Sequence, residues 1–155
     1  MKLNDTIACR GHILVEKFDS DGKPIGTAEG HNLFLTVGTT ELWKLAIGSS
    51  ANTFTNAQAT IGIGDSATAA TAGQTDLQAA TNKLYKAMDA TFPTTPASGA
   101  VAFKSTFASG DANYVWNEFT VRQGTSLICI NRGVQNLGTK ASGTTWVVTV
   151  TLSLS

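Results

Sequence analysis

Residues 144–155 carry the clearest pattern in the chain, an alternation of large apolar side chains with smaller, mostly polar ones. One set of alternate positions holds Trp146, Val148, Val150, Leu152 and Leu154. Successive side chains of a β-strand point to opposite faces of the sheet. The period of two therefore predicts a core strand with one dry face and one wetter face.

Further strands are predicted where short runs of β-branched, aromatic and alternating residues lie between turn signals. They cover 11–18, 25–28, 59–63, 83–92, 100–107, 114–121 and 127–134. The last two are expected to form an antiparallel hairpin, with Trp116 and Glu118 on the face opposite to Phe119 and Val121. About seven strands separated by turns indicate a mainly β protein, an antiparallel β-sandwich, with one α-helix covering one side.

That single helix is predicted over 39–47. Thr39 or Thr40 would be the N-cap, since a hydroxyl can accept a hydrogen bond from the free N–H groups of the first turn. Glu41 would then lie near the helix start, where a negative charge is favoured. Gly48 stands where a left-handed residue ends a helix.

The inner face of the helix and the long loops are less sharply defined by the pattern. Trp43 or Leu42 is expected to face the sheet. The small, polar stretch 66–82 predicts a surface loop with a short helix near 76–81, and 93–99 predicts a plain loop.

A chain of 155 residues is most simply one domain, here a β-sandwich over 1–155. Its N-terminal hairpin is predicted at 11–28, with the turn at Asp21-Gly22 because Asp-Gly tolerates positive φ. The helix follows, and the strands of 101–155 complete the domain.

Eleven Lys and Arg residues balance eleven Asp and Glu residues, so the formal net charge is zero. A nucleic-acid binder needs a basic face, so no specific nucleic acid is expected as a partner. The sequence shows neither a membrane-spanning run nor the apolar core of a signal peptide, which predicts folding in a cytoplasm and no membrane partner. Zero net charge also favours self-association, although a neutral soluble domain is the alternative.

Three patterns resemble cofactor or metal motifs in an unsuitable context. The G-x-G-x-x-A pattern at 62–67 has no βαβ unit around it, so a structural turn is favoured over a dinucleotide site. The D-x-D-G pattern at 19–22 lacks the later carboxylate of a calcium loop and is interpreted as a hairpin tip. His12 and His31 would need to meet in space to hold a metal, so no metal site is assigned.

Glu118 is the carboxylate with the most unusual surroundings, because Trp116 and Phe119 flank it. No second carboxylate pairs with it, so a hydrogen-bonded structural role is favoured over catalysis. Trp43, Trp116 and Trp146 could stack on sugars but fall in apolar patterns typical of a core.

The two cysteines, Cys9 and Cys129, are too few for a disulfide framework, and whether they pair is left open. Cys129 lies in an apolar run, which predicts a buried, reduced thiol. No residue is assigned a catalytic, cofactor-binding or metal-binding role, and the protein is expected not to be an enzyme.

Three segments of the chain carry short motifs: Asp21-Gly22, His31-Asn32-Leu33, Gly38 and Leu42–Ala46, then Ala59–Asp65 and Thr75-Asp76-Leu77, then Asn117-Glu118, Phe119, Leu127, Asn131 and Arg132. With these motifs the chain resembles small virion proteins of tailed bacteriophages. The last segment is similar to a strand hairpin of phage tail-fibre and decoration modules.

The resemblance implies a non-enzymatic structural protein located in the virion. Its size and the absence of coiled-coil or fibre-shaft repeats favour a capsid decoration, or cement, protein that bridges capsid subunits. The partners would be the major capsid protein or other virion proteins, together with further copies in a dimer or trimer. A tail or tail-fibre attachment protein is the first alternative, and a carbohydrate-binding module using Trp116 and Glu118 is the second.

Overall fold

The computed structural model describes residues 8–95 and 97–154. Within these residues the chain forms eight strands and one helix: β1 Cys9–Phe18, β2 Pro24–Phe34, α1 Thr36–Ala46, β3 Ala59–Gly64, β4 Lys83–Ala87, β5 Ala100–Phe107, β6 Val115–Gln123, β7 Asn131–Thr139 and β8 Thr145–Leu154. The predicted mainly β architecture with a single helix is confirmed. The parts of the predicted domain, loop and final strand that fall on residues 1–7, 96 and 155 lie outside the described residues.

All eight described strands belong to one antiparallel sheet in the order β4-β3-β6-β7-β2-β1-β8-β5. β2 joins the two halves, because His31 and earlier residues pair with β1 whereas Asn32–Phe34 pair with β7. The two halves enclose a common core, as a sandwich does. The sheet is nearly closed into a barrel.

The gap between the edge strands β4 and β5 is bridged by the segment that follows β4. The Asp89 N–H donates to the Lys104 carbonyl at 2.8 Å. The Asp89 carboxylate accepts from the Thr106 N–H at 2.9 Å and from the Thr106 hydroxyl at 2.8 Å. These bonds hold the two edges together without a regular ladder.

An aromatic group fills the middle of the core. Phe107, Trp116 and Trp146 stack edge to face, with ring centroids 4.9 Å apart for the first pair and 4.7 Å apart for the second. Aliphatic side chains from β1, β3, β6 and β8 surround these rings: Ile13, Val15, Ile61, Ile63, Val121, Val148 and Val150.

The alternation predicted for β8 is confirmed by burial. Trp146, Val148, Val150 and Leu152 are buried, whereas Leu154, at the end of the strand, is 54% exposed. A period of two is a reliable signal here because the strand is regular along its whole length.

The alternation predicted for β6 is wrong. Trp116, Phe119 and Val121 all belong to the core, although Trp116 was expected on the opposite face. The pairing register between β6 and β7 shifts between Trp116 and Glu118. An irregularity of this kind reverses the faces of a strand, so side chains on both sides of it can point inward.

The helix begins earlier than predicted and its predicted cap is wrong. It starts at Thr36 after Leu35, with no side-chain cap. Thr39 and Thr40 lie inside the helix, and their hydroxyls donate to the Thr36 carbonyl at 3.1 and 2.8 Å. The start is fixed instead by the tertiary structure, since the Leu35 N–H donates to the Ile130 carbonyl at 2.9 Å.

Glu41 lies beyond the first turn, so its predicted role at the helix start is also wrong. Its buried side chain accepts from the Ser50 hydroxyl and, at 3.1 Å, from the Asn52 amide. The Ser50 hydrogen bond is the main cause that lowers the pKa of Glu41. The predicted helix end is confirmed, since Gly48 has φ +71° and donates to the Leu45 carbonyl at 3.1 Å.

The inner face of α1 holds the helix close to the sheet. A Cβ at Gly38 would lie 2.4 Å from the Cα and carbonyl oxygen of Ile130, so only glycine allows this approach. Leu42 packs against the core as expected. Trp43 does not face inward, because it is 73% exposed.

The N-terminal hairpin is confirmed, with Gly22 at φ +76° and Pro24 as the first residue of β2. Other predicted bounds are wrong, since β2 continues to Phe34, β4 ends at Ala87, and β7 spans Asn131–Thr139. The helix predicted near 76–81 does not form.

Gly38→Ala is expected to destabilise the protein, although alanine is the better helix former. The new methyl group meets the Ile130 backbone, which cannot move as a flexible side chain would, and overpacking of this kind costs about 1–3 kcal/mol. Urea unfolding followed by circular dichroism measures the change. Thr40→Ala, on the exposed side of the same helix, should change stability little, and an equal loss in both variants would contradict the argument.

Candidate functional site

Glu118 and Arg132 form a fully buried ion pair between β6 and β7. Arg132 Nε donates to Glu118 Oε2 at 2.7 Å, and Nη2 lies 2.7 Å from the same oxygen. The remaining guanidinium donors reach Gln74 Oε1 and the Thr68 carbonyl, each at 2.9 Å. The last two contacts hold the 65–82 loop, which connects β3 to β4, against the sheet.

The same loop binds the other side of the Glu118 carboxylate. The backbone N–H groups of Gln78 and Ala79 donate to its two oxygens at 2.9 and 2.7 Å. The 76–81 segment, where the sequence predicts a short helix, is irregular in the structure. The prediction that Glu118 is hydrogen-bonded is confirmed.

The two glycines of the 62–67 pattern make room for neighbouring side chains. A Cβ at Gly64 would lie 2.4 Å from Glu118 Oε1, and a Cβ at Gly62 would lie 2.5 Å from Tyr85 Cε1. Both glycines belong to β3 rather than to a turn. Their role is close packing beside the buried ion pair.

A second polar cluster gathers around Asp76, where the same loop meets β4 and β6. Its Oδ1 accepts from the Tyr85 hydroxyl and lies 3.5 Å from Cys129 Sγ. Arg122 stacks on the Tyr85 ring, 3.1 Å from the centroid, and its Nη1 lies 4.0 Å from Asp76 Oδ2. The cluster joins residues that are far apart in the sequence, and no sequence pattern indicates it.

The protonation states of this cluster do not suit acid–base chemistry near neutral pH. Burial raises the pKa of Asp76, but hydrogen bonds from Tyr85 and the Leu77 N–H outweigh it and keep the pKa below its usual value. Burial, followed by the nearby Asp76 carboxylate, raises the pKa of Tyr85. Burial also raises the pKa of Cys129 to about 12, so its thiol stays protonated and unreactive.

The two histidines do meet in space, because the β1–β2 register makes His12 and His31 direct cross-strand partners. Their ring centroids are 5.6 Å apart, and His12 Nε2 lies 3.4 Å from Glu29 Oε2. Within residues 8–95 and 97–154, however, no group of three or more His, Cys, Asp or Glu side chains is placed to hold a metal ion.

Two of the three tryptophans are inaccessible to a sugar. Trp116 is fully buried and donates from Nε1 to the Ala112 carbonyl at 2.8 Å, and Trp146 is 3% exposed. With Glu118 also buried, these side chains cannot form a glycan-binding face.

Trp43 instead lies on the surface of α1 together with Ile47. They are 73% and 75% exposed. A spacing of four residues places them on one side of a helix, and Trp43 and Ile47 are called the outer α1 face below. Sequence reasoning missed this surface because it assigned Trp43 to the core.

Comparison of the chain with protein-family models, curated proteins and solved structures gave no match. Among the described residues, no helix has the length and apolar character needed to cross a membrane.

Glu118→Gln is expected to destabilise the protein by about 3–5 kcal/mol, because it leaves the buried Arg132 charge without a carboxylate. Urea unfolding measures the loss, and hydrogen exchange should show faster exchange at Gln78 and Ala79. Glu29→Gln is the matched control, since the Glu29 side chain is 65% exposed. Equal unfolding midpoints for the two variants would show that the ion pair does not hold the loop.

Iodoacetamide at about pH 8 is expected to modify exposed Cys9 and to spare buried Cys129, because the thiolate is the reactive form. Peptide mapping by mass spectrometry separates the two sites. In urea both cysteines should react, and Cys9→Ser should remove the labelling of the native protein. Comparable labelling rates at both sites in the native state would disprove the assignment of Cys129 as a protected thiol.

Proposed function

We propose that this protein is a non-enzymatic structural component of a tailed-phage virion, acting as a capsid decoration protein that bridges subunits of the shell. The resemblance of its three sequence segments to such proteins supplies the virion context. The outer α1 face is the structural observation that carries the proposal.

The outer α1 face has the properties of a contact surface. Large contiguous apolar patches are rare on soluble monomers and mark interaction sites, and Trp43 and Ile47 supply two large, mostly exposed apolar side chains to one side of α1. Tryptophan is also enriched among the residues that dominate binding energy at interfaces. The zero net charge means that no overall electrostatic repulsion opposes close packing of many copies.

The residues that carry the resemblance have structural functions in this chain. Glu118 and Arg132 hold the 65–82 loop, and Gly38 allows α1 to approach β7 through Ile130. The carboxylate of Glu118 accepts hydrogen bonds from two backbone N–H groups and from Arg132, so it has no free position for a substrate. This arrangement supports a role in assembly rather than in catalysis.

In the proposed mechanism each copy stabilises the shell by burying surface across two or more capsid subunits. Standard interfaces bury roughly 800 Å² on each partner. Such contacts, repeated over the lattice and strengthened by a dimer or trimer of this chain, would oppose the outward pressure of packaged DNA. The 117–132 hairpin is equally similar to tail-fibre modules, so attachment to the tail is the second candidate.

The number of copies in purified particles tests the location. Quantitative mass spectrometry is expected to find hundreds of copies per virion for a shell protein. A handful or a dozen copies per virion would indicate a tail protein instead. Particles that lack the protein would disprove the proposed virion function.

The double variant Trp43→Ser, Ile47→Ser tests the surface. Binding to shells assembled from the major capsid protein of the same phage should weaken by at least about 30-fold, the equivalent of a hot spot of about 2 kcal/mol. Ile25→Ser is the control, because Ile25 is 56% exposed at the start of β2, whereas α1 follows the end of that strand. Equal binding by the two variants would exclude the outer α1 face as the capsid contact.

A further inference from the structure

A large apolar cavity lies at the end of the sheet where α1 packs. Its volume is about 650 Å³. Leu42 and Leu45 of α1 form one wall, and Val101 and Leu152 of β5 and β8 form another. Phe54, in the segment between α1 and β3, contributes to the lining. We call this space the end cavity.

The end cavity continues the interior of the sheet. Phe103 and Leu152 line it and also belong to the hydrophobic core. Because alternate residues of a strand face the same side, Val101 and Leu154 continue those inward-facing rows beyond the core. The cavity is thus the mouth of a nearly closed barrel rather than a patch on its outside.

The lining defines the chemistry of an occupant. None of the residues that line the end cavity carries a charge, and the polar side chains among them are the hydroxyls of Thr53, Thr94 and Ser153. A charged group placed there would lose its hydration without gaining an ionic partner, which is costly. A neutral molecule that is mostly apolar and has a single polar group suits this lining.

We propose that the end cavity binds a neutral, apolar small molecule of the size of a medium-chain aliphatic alcohol or a two-ring aromatic compound. Ligand pockets typically enclose about 300–1,000 Å³, are mainly apolar with few polar groups, and occur in the mouths of β-barrels. The end cavity has all three properties. The proposal does not depend on the virion function.

The cavity is partly open to solvent, but it is concave and mainly apolar, and a concave apolar site of this volume suits a small molecule better than a flat protein surface. The walls come from α1, the 53–54 segment, the ends of β5 and β8, and Pro93, Thr94 and Gly99. The outer α1 face is a different surface, since at 100° per residue Trp43 and Ile47 point roughly 150° away from Leu42 and Leu45. A partner that contacts Trp43 and Ile47 therefore leaves the cavity below the helix to a separate ligand.

Fluorescence titration with N-phenyl-1-naphthylamine, a neutral apolar probe that joins a naphthyl and a phenyl group through one N–H, tests the proposal on the full chain. Saturable binding with one site per chain is expected. The neutral competitor 1-decanol should displace the probe, and the decanoate anion should displace it at least about tenfold less effectively, a difference of about 1.4 kcal/mol. An absence of saturable binding, or equal displacement by both competitors, would overturn the proposal.

Variants of the cavity wall, with a control on the exposed side of α1, test whether the probe binds in the end cavity. Leu45→Lys introduces a charge into the wall and should weaken binding by at least about tenfold. Ala46→Lys adds the same charge at the next position, on the exposed side of α1, and should bind like the parent. Leu154→Trp narrows the mouth of the cavity without changing α1, and it should also weaken probe binding. It replaces Leu45→Lys if that variant does not fold.

Light scattering and a variant lacking residues 2–7 separate the other possible occupants. Probe binding that appears only after this deletion would assign the cavity to the chain's own N-terminal segment. An oligomer that Leu45→Lys dissociates would assign it to a second copy. Either result would overturn the proposal, whereas binding by a species of unchanged mass that requires Leu45 would support it.

Discussion

The buried ion pair of Glu118 and Arg132 is the interaction on which the arrangement of this protein most depends. Taking two charges out of water is costly unless good geometry and further hydrogen bonds compensate. Here the carboxylate accepts from two backbone N–H groups, and the guanidinium donates to Gln74 and the Thr68 carbonyl. The pair consequently determines the path of an eighteen-residue connection between β3 and β4 (residues 65–82) that has no regular structure of its own. It also requires glycine at position 64, where a side chain would occupy the space of the carboxylate.

The features that sequence patterns predicted correctly are those determined by neighbouring residues. The alternation in β8, the Asp-Gly hairpin and the glycine at the end of α1 each follow from local geometry. The start of α1 could not be predicted in this way, because a hydrogen bond from Leu35 to distant Ile130 fixes it. The faces of β6 were assigned wrongly because the sequence gives no sign of the shift in register after Trp116.

The same distinction applies to the candidate sites. A structural role for Glu118 was predicted because no second carboxylate accompanied it. Its contact with Arg132 could not be predicted, because that contact depends on the pairing of β6 with β7. The contact between His12 and His31 depends on the register of β1 against β2. The end cavity is built by separate segments of the chain, so no single stretch of sequence indicates it. Trp43 resembled a core residue because apolar neighbours surround it in sequence, whereas only the direction of α1 shows that it is exposed.

The bonds from Asp89 across the gap between β4 and β5 have a consequence for how copies of this protein can associate. An unpaired strand edge is a template for adding strands from other chains, and many proteins protect such edges with charged residues. This chain has a net charge of zero, so overall repulsion gives it little protection. By occupying backbone groups of Lys104 and Thr106, Asp89 covers part of one edge. These bonds therefore leave fewer free backbone groups at Lys104 and Thr106 for a strand of a second copy to pair with.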